Sequence, residues 1–258
     1  MISRGLLQDA AALFQAEGRL IELPAGREVV FVGDTHGDRE ATEAVLSRFL
    51  SPERILVFLG DYVDRGPESE GNLRLLLETK LRFPNRLVLL MGNHEGYCVG
   101  PFSPADFWED LQVNEREALG ATLSLLPFAA FSHRGLLAVH GALPDLPSVD
   151  AIRGVPLGSA AWRRMTWGDY VDLPDAGAPE SPHGRPAYGR DSFASLSRRL
   201  GVHVLVRSHQ PSAPTYLFGD RCLTLFTSRA YGSGKPRVAL LRPGGEVHSA
   251  RELELVEV

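Results

Sequence analysis

Short apolar runs recur through the first third of the chain, and each stops at a glycine. EVVFVG ends at Gly33, RILVFLG at Gly60 and RLVLLMG at Gly92. Runs this short and this continuous predict strands buried on both faces, as in a parallel sheet, and they cannot span a bilayer. Two segments of different character separate them. DREATEAVLSRFL has Ala41, Ala44, Val45, Leu46 and Phe49 as an apolar helical face, and SEGNLRLLLETKLRF follows the second run. The resulting β-α-β-α-β order predicts a parallel sheet covered by helices, an α/β fold.

Elsewhere the pattern varies more. MISRGLLQDAAALFQAEG reads as an amphipathic surface helix, and residues 97–128 are mostly helical, with FWEDLQ and EREALGATLSLL clearest. GLLAVHG predicts a strand ending in His140. From Ala142 to Gly189 the chain is rich in Pro and Gly (PDLP, LPDAGAPESPHGRP), which fits either an irregular surface excursion or a segment framing a site. DSFASLSRRLG predicts a helix capped by Asp191 or Ser192 and closed by Gly201. The strand VHVLVRSHQ comes next, then TYLFG, RCLTLFTS and KPRVALLR as a meandering antiparallel sheet, with ELELVEV as a last strand. No internal repeat or low-complexity linker divides the chain, so residues 1–258 are expected to form one domain.

Composition narrows the functional classes. The 258 residues, 44% hydrophobic and 23% charged, suit a soluble globule with ample core. A formal net charge of −5 and no block of Lys and Arg argue against a nucleic-acid partner, though not against a local cationic pocket. Cys98 and Cys222 lack a CxxC pattern and read as free thiols. The chain opens on neither a signal peptide nor a membrane helix, so a cytoplasmic protein without a membrane partner is expected. A monomer is compatible with these features.

The chemistry lies at the strand ends. GDTHG at 33–37, GDYVDRG at 60–66 and GNHE at 92–95 bring Asp34, His36, Asp61 and Asn93 to one sheet edge, where open α/β folds place their binding crevices. His140 and His209 each follow a further apolar run. Carboxylate, imidazole and amide donors suit Mn²⁺, Fe or Zn²⁺, and the lack of paired thiolates argues against a Cys₄ site. Six such groups suffice for two ions if Asp61 bridges them. One division puts Asp34, His36 and Asp61 on one ion and Asp61, Asn93, His140 and His209 on the other; spacing alone does not fix it. His133, His183, His203 and His248 lack comparable support: His203 reads as a strand residue and the others as surface or loop residues.

Taken together, GDTHG, GDYVDRG and GNHE resemble the loops of the metal-dependent phosphoprotein phosphatase family, in its protein phosphatase 1-like, calcineurin-like branch. HGA at 140–142 is similar to that family's HGG, RSHQ at 207–210 to its RxHQ, and TSRAYG at 227–232 to its SAPNY segment. The resemblance runs from about Arg19 to Lys235. It implies a central β-sandwich flanked by helices, in four layers α/β/β/α, with a binuclear metal site. Its metal ligands fall on Asp34, His36, Asp61, Asn93, His140 and His209. It further implies His94 as proton donor, Asp64 as that histidine's partner, and Arg65 as the first phosphate-binding arginine, with Asn93 and Tyr231 also near substrate. The second arginine has only an imperfect match: Arg185 in HGRPAYG, with Arg190 as the alternative. In TWGDY at 166–170, Asp169 matches the WxDP segment and Tyr170 replaces its proline. Arg229 and Ala230 replace the proline and asparagine of SAPNY, so Arg229 is expected as an extra cation at the pocket mouth.

The implied activity is hydrolysis of phosphoserine and phosphothreonine monoesters, with phosphotyrosine admitted by an open pocket, through direct attack of a metal-bridging hydroxide. Two divalent ions are implied, Mn²⁺ foremost and Fe or Zn²⁺ as alternatives. The competing reading is a hydrolase of dinucleoside polyphosphates or another small phosphorylated metabolite, which Arg229 would favour. A covalent route through Cys98 lacks the CxxxxxR phosphate cradle. A silent binding scaffold is disfavoured, because every early-loop metal and acid position holds a competent group.

Overall fold

The computed structural model describes residues 2–175, 184–232 and 235–258. The three apolar runs form parallel strands β2 (Glu28–Val32), β3 (Arg54–Phe58) and β4 (Leu87–Leu89), in register Val30–Leu56 and Val57–Val88. Helices α2 (Arg39–Phe49) and α3 (Ser69–Arg82) make the two crossovers. Antiparallel β12 (Arg237–Leu241) pairs with the other side of β2, and β13 (Glu254–Glu257) closes that edge. A second sheet has the order β1 (Leu20–Glu22), β5 (Ala129–Ser132), β6 (Leu136–Val139), β9 (Val204–Arg207), β11 (Cys222–Thr224), β10 (Tyr216–Leu217).

Strand periodicity divides the core in two. Val29, Phe31, Ile55, Val57 and Ala239 meet Ala130, Leu136, Ala138, Val204, Val206 and Leu223 between the sheets. Their neighbours Val30, Val32, Leu56, Phe58 and Leu240 point the other way, into the cluster under the helices. A residue step of two per face therefore builds a sandwich whose outer faces are also covered, the four-layer α/β/β/α arrangement. Outside it, α1 (Arg4–Glu17) buries Leu7, Ala10 and Phe14 at helical spacing and packs on α3 and on α5 (Val113–Leu123), which follows the short α4 (Asp106–Asp110). Lys80 is fully buried where these layers meet; its ammonium is paired with Glu17 and donates to the carbonyls of Pro84 (3.0 Å) and Leu87 (2.6 Å). Removing one partner of such a buried pair costs about 3–5 kcal/mol. Among the described residues no helix is long and apolar enough to cross a membrane.

Three expectations change. The last strands are not one antiparallel meander: β10 and β11 are antiparallel, but β11 lies parallel to β9, and β12 belongs to the other sheet. A bridge between Phe226 and Asp34 carries the chain across, and residue alternation cannot say which sheet a strand will join. Second, α7 (Arg190–Leu200) begins at Gly189 with no side-chain cap. A Cβ on Gly189 would lie 2.4 Å from the Leu173 carbonyl oxygen, so a glycine must start the helix, and Asp191 accepts instead from the Asp175 amide (3.2 Å). Third, the described parts of the Ala142–Gly189 segment, residues 142–175 and 184–189, carry more regular structure than its Pro and Gly content implies. They hold a 3₁₀ turn (Asp150–Gly154), α6 (Ala160–Trp167) and a parallel pair of β7 (Asp169–Tyr170) with β8 (Ala187–Tyr188). His183 lies outside the described residues.

Candidate metal centre

All the motif loops leave the same end of the sandwich, and their backbones are strained. His36, Asp61, Asp64, Arg65 and His209 have φ between 41° and 72°. Left-handed conformations of this kind cost roughly 1–3 kcal/mol for a non-glycine residue and persist only when the surroundings enforce them. Close approach enforces them here. A Cβ on Gly92 would lie 2.2 Å from Asp61 Oδ1, and one on Gly66 would lie 2.0 Å from the His36 carbonyl oxygen. The glycines that punctuate the loops let the three turns interlock.

Asp61 is the hub. Its Oδ2 lies 3.6 Å from His36 Nε2, 3.3 Å from His140 Nε2 and 3.8 Å from His94 Nε2. Two groups of donors with cation-binding spacing share it: His36, Asp61 and His94, and Asp61, His140 and His209. Asp34 Oδ2 lies 3.6 Å from His36 Nε2, and Asn93 Oδ1 lies 3.1 Å from His140 Nε2, which is 3.2 Å from His209 Nδ1. The two sheets both contribute, since Asp34, Asp61 and Asn93 follow β2, β3 and β4 while His140 and His209 follow β6 and β9. Backbone carbonyls aim the rings. His36 Nδ1 donates to Val63 and His140 Nδ1 to Leu59, both at 3.0 Å, which turns each Nε2 inward toward the carboxylates.

The electrostatics ask for positive charge. Burial opposes protonation of His36, yet Asp34 and Asp61 outweigh it and hold the ring up to about 9. His140 is raised by the same contest, burial against Asp61 and Asp34. Burial would raise Asp61, but His140, His94 and His36 hold it well below the usual range. Burial, together with His140 and Arg185, drives His209 well down. Asp34 Oδ2 is buried with no hydrogen-bond partner among the described residues. An unsatisfied buried carboxylate oxygen and inward-facing imidazole nitrogens, whose protons a cation would displace, fit two divalent cations, and the N/O donor set fits ions such as Mn²⁺, Fe or Zn²⁺.

A second constellation flanks the hub. His94 Nδ1 is 2.5 Å from Asp64 Oδ2, while Asp64 Oδ1 accepts from the Phe107 amide (2.8 Å). The Arg65 amide donates to Asp106 Oδ1 (3.2 Å). Tyr231 places its hydroxyl 3.3 Å from His36 Nε2; burial, with Asp34 and Asp61, pushes that phenol up to about 12. Arg185 Nη1 lies 3.2 Å from His209 Nε2 and 3.7 Å from Asp169, whereas Arg190 is paired with Asp172 on the surface. Arg229 is turned outward to Glu40 (3.5 Å) and Asp38 (3.9 Å), half exposed. Phe102 stands edge-on to His94 at 4.7 Å, and Trp167 lies 5.2 Å from Phe102 and 6.2 Å from His209. Trp162 of α6 crowds Gly96, where a Cβ would meet its ring at 2.6 Å, so the segment after Ala142 packs directly onto the GNHE loop.

Several supporting residues escaped the reading of the chain. Glu95, fully buried, accepts from the amides of Asp61 (2.8 Å), Tyr62 (2.8 Å) and Gly92 (2.9 Å), and so ties the second loop to the third. Burial, then the Asp61 charge, lifts its carboxyl to about 7. Arg207, buried, donates to the carbonyls of Gly141 (2.9 Å) and Gly168 (3.1 Å) and to Gln210 (3.0 Å). Asn72 of α3 donates to Thr35 Oγ1 (2.9 Å) and the Tyr62 carbonyl (2.8 Å). Glu95 and Arg207 carried one available signal: a charge inside a motif that follows an apolar run. Asn72 carried none.

Residues 28–213 match the sequence profile of the family described as calcineurin-like phosphoesterase. The chain is 27% identical over 252 residues to a probable serine/threonine-protein phosphatase of Encephalitozoon cuniculi, across 89% of this chain. It spans 53% to 65% of the length of two such curated relatives. The fold superposes with a TM-score of 0.83 on a Saccharomyces cerevisiae protein serine/threonine phosphatase with similarity to human phosphatase PP5, at 22% identity, over 99% of this chain and 89% of the other. Against the cold-active protein-tyrosine phosphatase of a psychrophilic Shewanella species the TM-score is 0.61, at 17% identity, over 90% and 79%. At those identities the likeness is one of fold.

Proposed function

The chain belongs to the calcineurin-like phosphoesterase family, and from that premise we propose that it is a two-metal protein phosphatase acting on phosphoserine and phosphothreonine monoesters. The observation that carries the reading is the Asp61 carboxylate, shared between two buried donor groups and placed beside the His94–Asp64 pair. Asp34, His36 and Asp61 are assigned to one ion, and Asp61, Asn93, His140 and His209 to the other. Mn²⁺ is the proposed native metal. Residues 1–258 are read as one catalytic body acting in the cytoplasm, with the Ala142–Gly189 segment as part of the substrate frame.

When bound, such ions supply an acidified water as nucleophile and offset charge on the phosphoryl oxygens. The chain's own groups do the rest. Arg65 and Arg185 clamp the phosphate dianion, their planar forks suited to paired hydrogen bonds, and Arg185 exchanges Asp169 for substrate. Tyr231 bounds the pocket on the His36 side. Serine and threonine alkoxides leave poorly, so the departing oxygen takes a proton from His94 Nε2. Asp64, 2.5 Å from the other ring nitrogen, fixes the orientation of that ring.

Phe102 and Trp167 beside the two histidines favour a second substrate, an aryl phosphate such as phosphotyrosine. Arg229, which alone favoured a polyphosphate, is engaged by Asp38 and Glu40, and the dinucleotide or small-metabolite reading weakens accordingly. The test compares phosphoserine peptide, phosphotyrosine peptide and diadenosine tetraphosphate as substrates of the Mn²⁺-loaded protein. The peptides are expected to be turned over with the higher kcat/KM. A preference for the dinucleotide by several orders of magnitude would overturn the assignment.

A further inference from the structure

We propose that His203, Glu246 and His248 form a separate Zn²⁺ site that clips the two sheets together at the end opposite Asp61. Among the described residues they are the third group with cation-binding spacing, each offering one donor atom within 4.8 Å of the others. His203 immediately precedes β9 and His209 follows it. A strand length of about 20 Å therefore separates this cluster from the phosphatase centre.

The two halves come from different sheets but hang on one support. The His203 amide donates to the Gly135 carbonyl (2.7 Å) in the turn between β5 and β6. The loop after β12 is fastened to the same turn: the Arg134 guanidinium donates to the carbonyls of Gly245 (2.6 Å) and Arg242 (2.7 Å), and the Val247 amide to that of Arg134 (2.8 Å). Two of the guanidinium nitrogens of Arg134, Nε and Nη1, are thereby engaged by carbonyl oxygens of this loop.

Side-chain chemistry supports a ligand. The rings of His203 and His248 stack 4.5 Å apart with 24° between their planes, and His248 Nε2 is 3.5 Å from Glu246 Oε2, so the exposed His248 ring must rotate out of the stack for both imidazoles to face one ion. His203 Nδ1 is buried and has no hydrogen-bond partner among the described residues. That edge of the ring packs on Gly135, where a Cβ would lie 2.6 Å from Nδ1, so His203 is the fixed member of the cluster. Donors around tetrahedral Zn²⁺ stand about 3.3 Å apart, so the cluster must contract. Glu246 and His248 have side chains 66% exposed and can swing inward. Two imidazoles and one carboxylate, with water completing the shell, suit Zn²⁺ rather than Ca²⁺ or Mg²⁺, which select oxygen.

The experiment strips the protein with chelator, dialyses it against micromolar Zn²⁺ and counts bound zinc per chain by elemental analysis. His248→Ala and His203→Gln are each expected to bind one equivalent fewer than wild type. Zinc should raise the melting temperature of the wild type more than that of His248→Ala. Turnover of the Mn²⁺-loaded His248→Ala protein should equal wild type. Equal zinc content in wild type and both variants, or a loss confined to His140→Ala, would overturn the proposal. His248→Ala alters an exposed side chain, so the test survives even if His203→Gln folds poorly.

Discussion

The same strands end in two very different places. Where β2, β3, β4, β6 and β9 finish, charged side chains are buried and the backbone is strained: Asp34, His36, Asp61, His94, His140 and His209 are at most 4% exposed. Five of the seven described non-glycine residues with positive φ lie in those loops; the other two, Phe218 and Asp220, turn the β10–β11 hairpin. At the opposite end His203 is half-buried, Glu246 and His248 are exposed, and ordinary turn hydrogen bonds hold them. Strain and desolvation of several kcal/mol can be held only where neighbours over-determine the geometry. The first end is therefore a site whose shape exists before any ligand arrives, while the second must contract around one.

Substituting the hub should produce the largest contrast between the two ends. Asp61→Asn keeps the size of the side chain but removes the charge shared by both donor groups. Turnover should fall by roughly 1,000-fold or more, and metal content at the centre around Asp61 should fall from two ions to one or none, by elemental analysis on the purified protein. His248→Ala should leave both unchanged. Equal metal content in Asp61→Asn and wild type would remove Asp61 from its bridging role.

Next comes His94→Asn, which should slow hydrolysis of a phosphoserine peptide by about 100–1,000-fold while metal content stays at the wild-type value. The deficit should shrink with an aryl phosphate, whose leaving oxygen needs less protonation. A deficit of the same size on both substrates would argue that His94 positions rather than protonates.

The unequal visibility of the two ends has a physical cause. Gly33, Gly60 and Gly92 are demanded by backbone approaches that admit no Cβ, so the loops they close carry punctuation that a sequence displays. The parallel strands were legible for a similar reason, since double-faced burial leaves an unbroken apolar run. The destination of β12 was not legible, because the pairing of Val238 with Val32 leaves no trace in either segment. Asp191 looked like a cap, yet the packing of Gly189 on Leu173 decided where α7 begins. His203 and His248 are brought together by the turn at Arg134 and Gly135, and Arg134 lies 69 positions before the first and 114 before the second. Supporting contacts such as Asn72 to Thr35 are equally silent.

Glu95 is predicted to have an intermediate effect. It touches no reacting atom; it fixes the turn that presents Asp61. Glu95→Gln keeps the shape but gives up one acceptor, leaving one of the amides of Asp61, Tyr62 or Gly92 poorly matched. Groups that orient metal ligands typically contribute about 10–100-fold to metal affinity or activity. The expected signature is a weaker metal dissociation constant, with turnover largely restored at saturating Mn²⁺. A turnover defect that excess Mn²⁺ leaves untouched would place Glu95 in the reaction itself.

The smallest effect is expected at Arg229, where the resemblance led us to look for an extra phosphate-binding cation. Its guanidinium faces Glu40 and Asp38, and its amide donates to Asp38 Oδ2 (2.9 Å). Asp38 is itself the cap of α2, accepting from the Ala41 amide (3.0 Å). The backbone contact survives substitution, so Arg229→Ala removes only exposed ion pairs, worth about 0–1 kcal/mol. Turnover of a phosphoserine peptide should change by less than about fivefold, the factor that about 1 kcal/mol corresponds to. Raising the salt concentration should erase the difference, because exposed pairs are screened. A tenfold or greater loss, and above all one confined to substrates with two phosphates, would mean that Arg229 leaves Asp38 and Glu40 for the substrate. The outer rim would then belong to the binding site, and the polyphosphate reading would regain the support that the observed pairing removes.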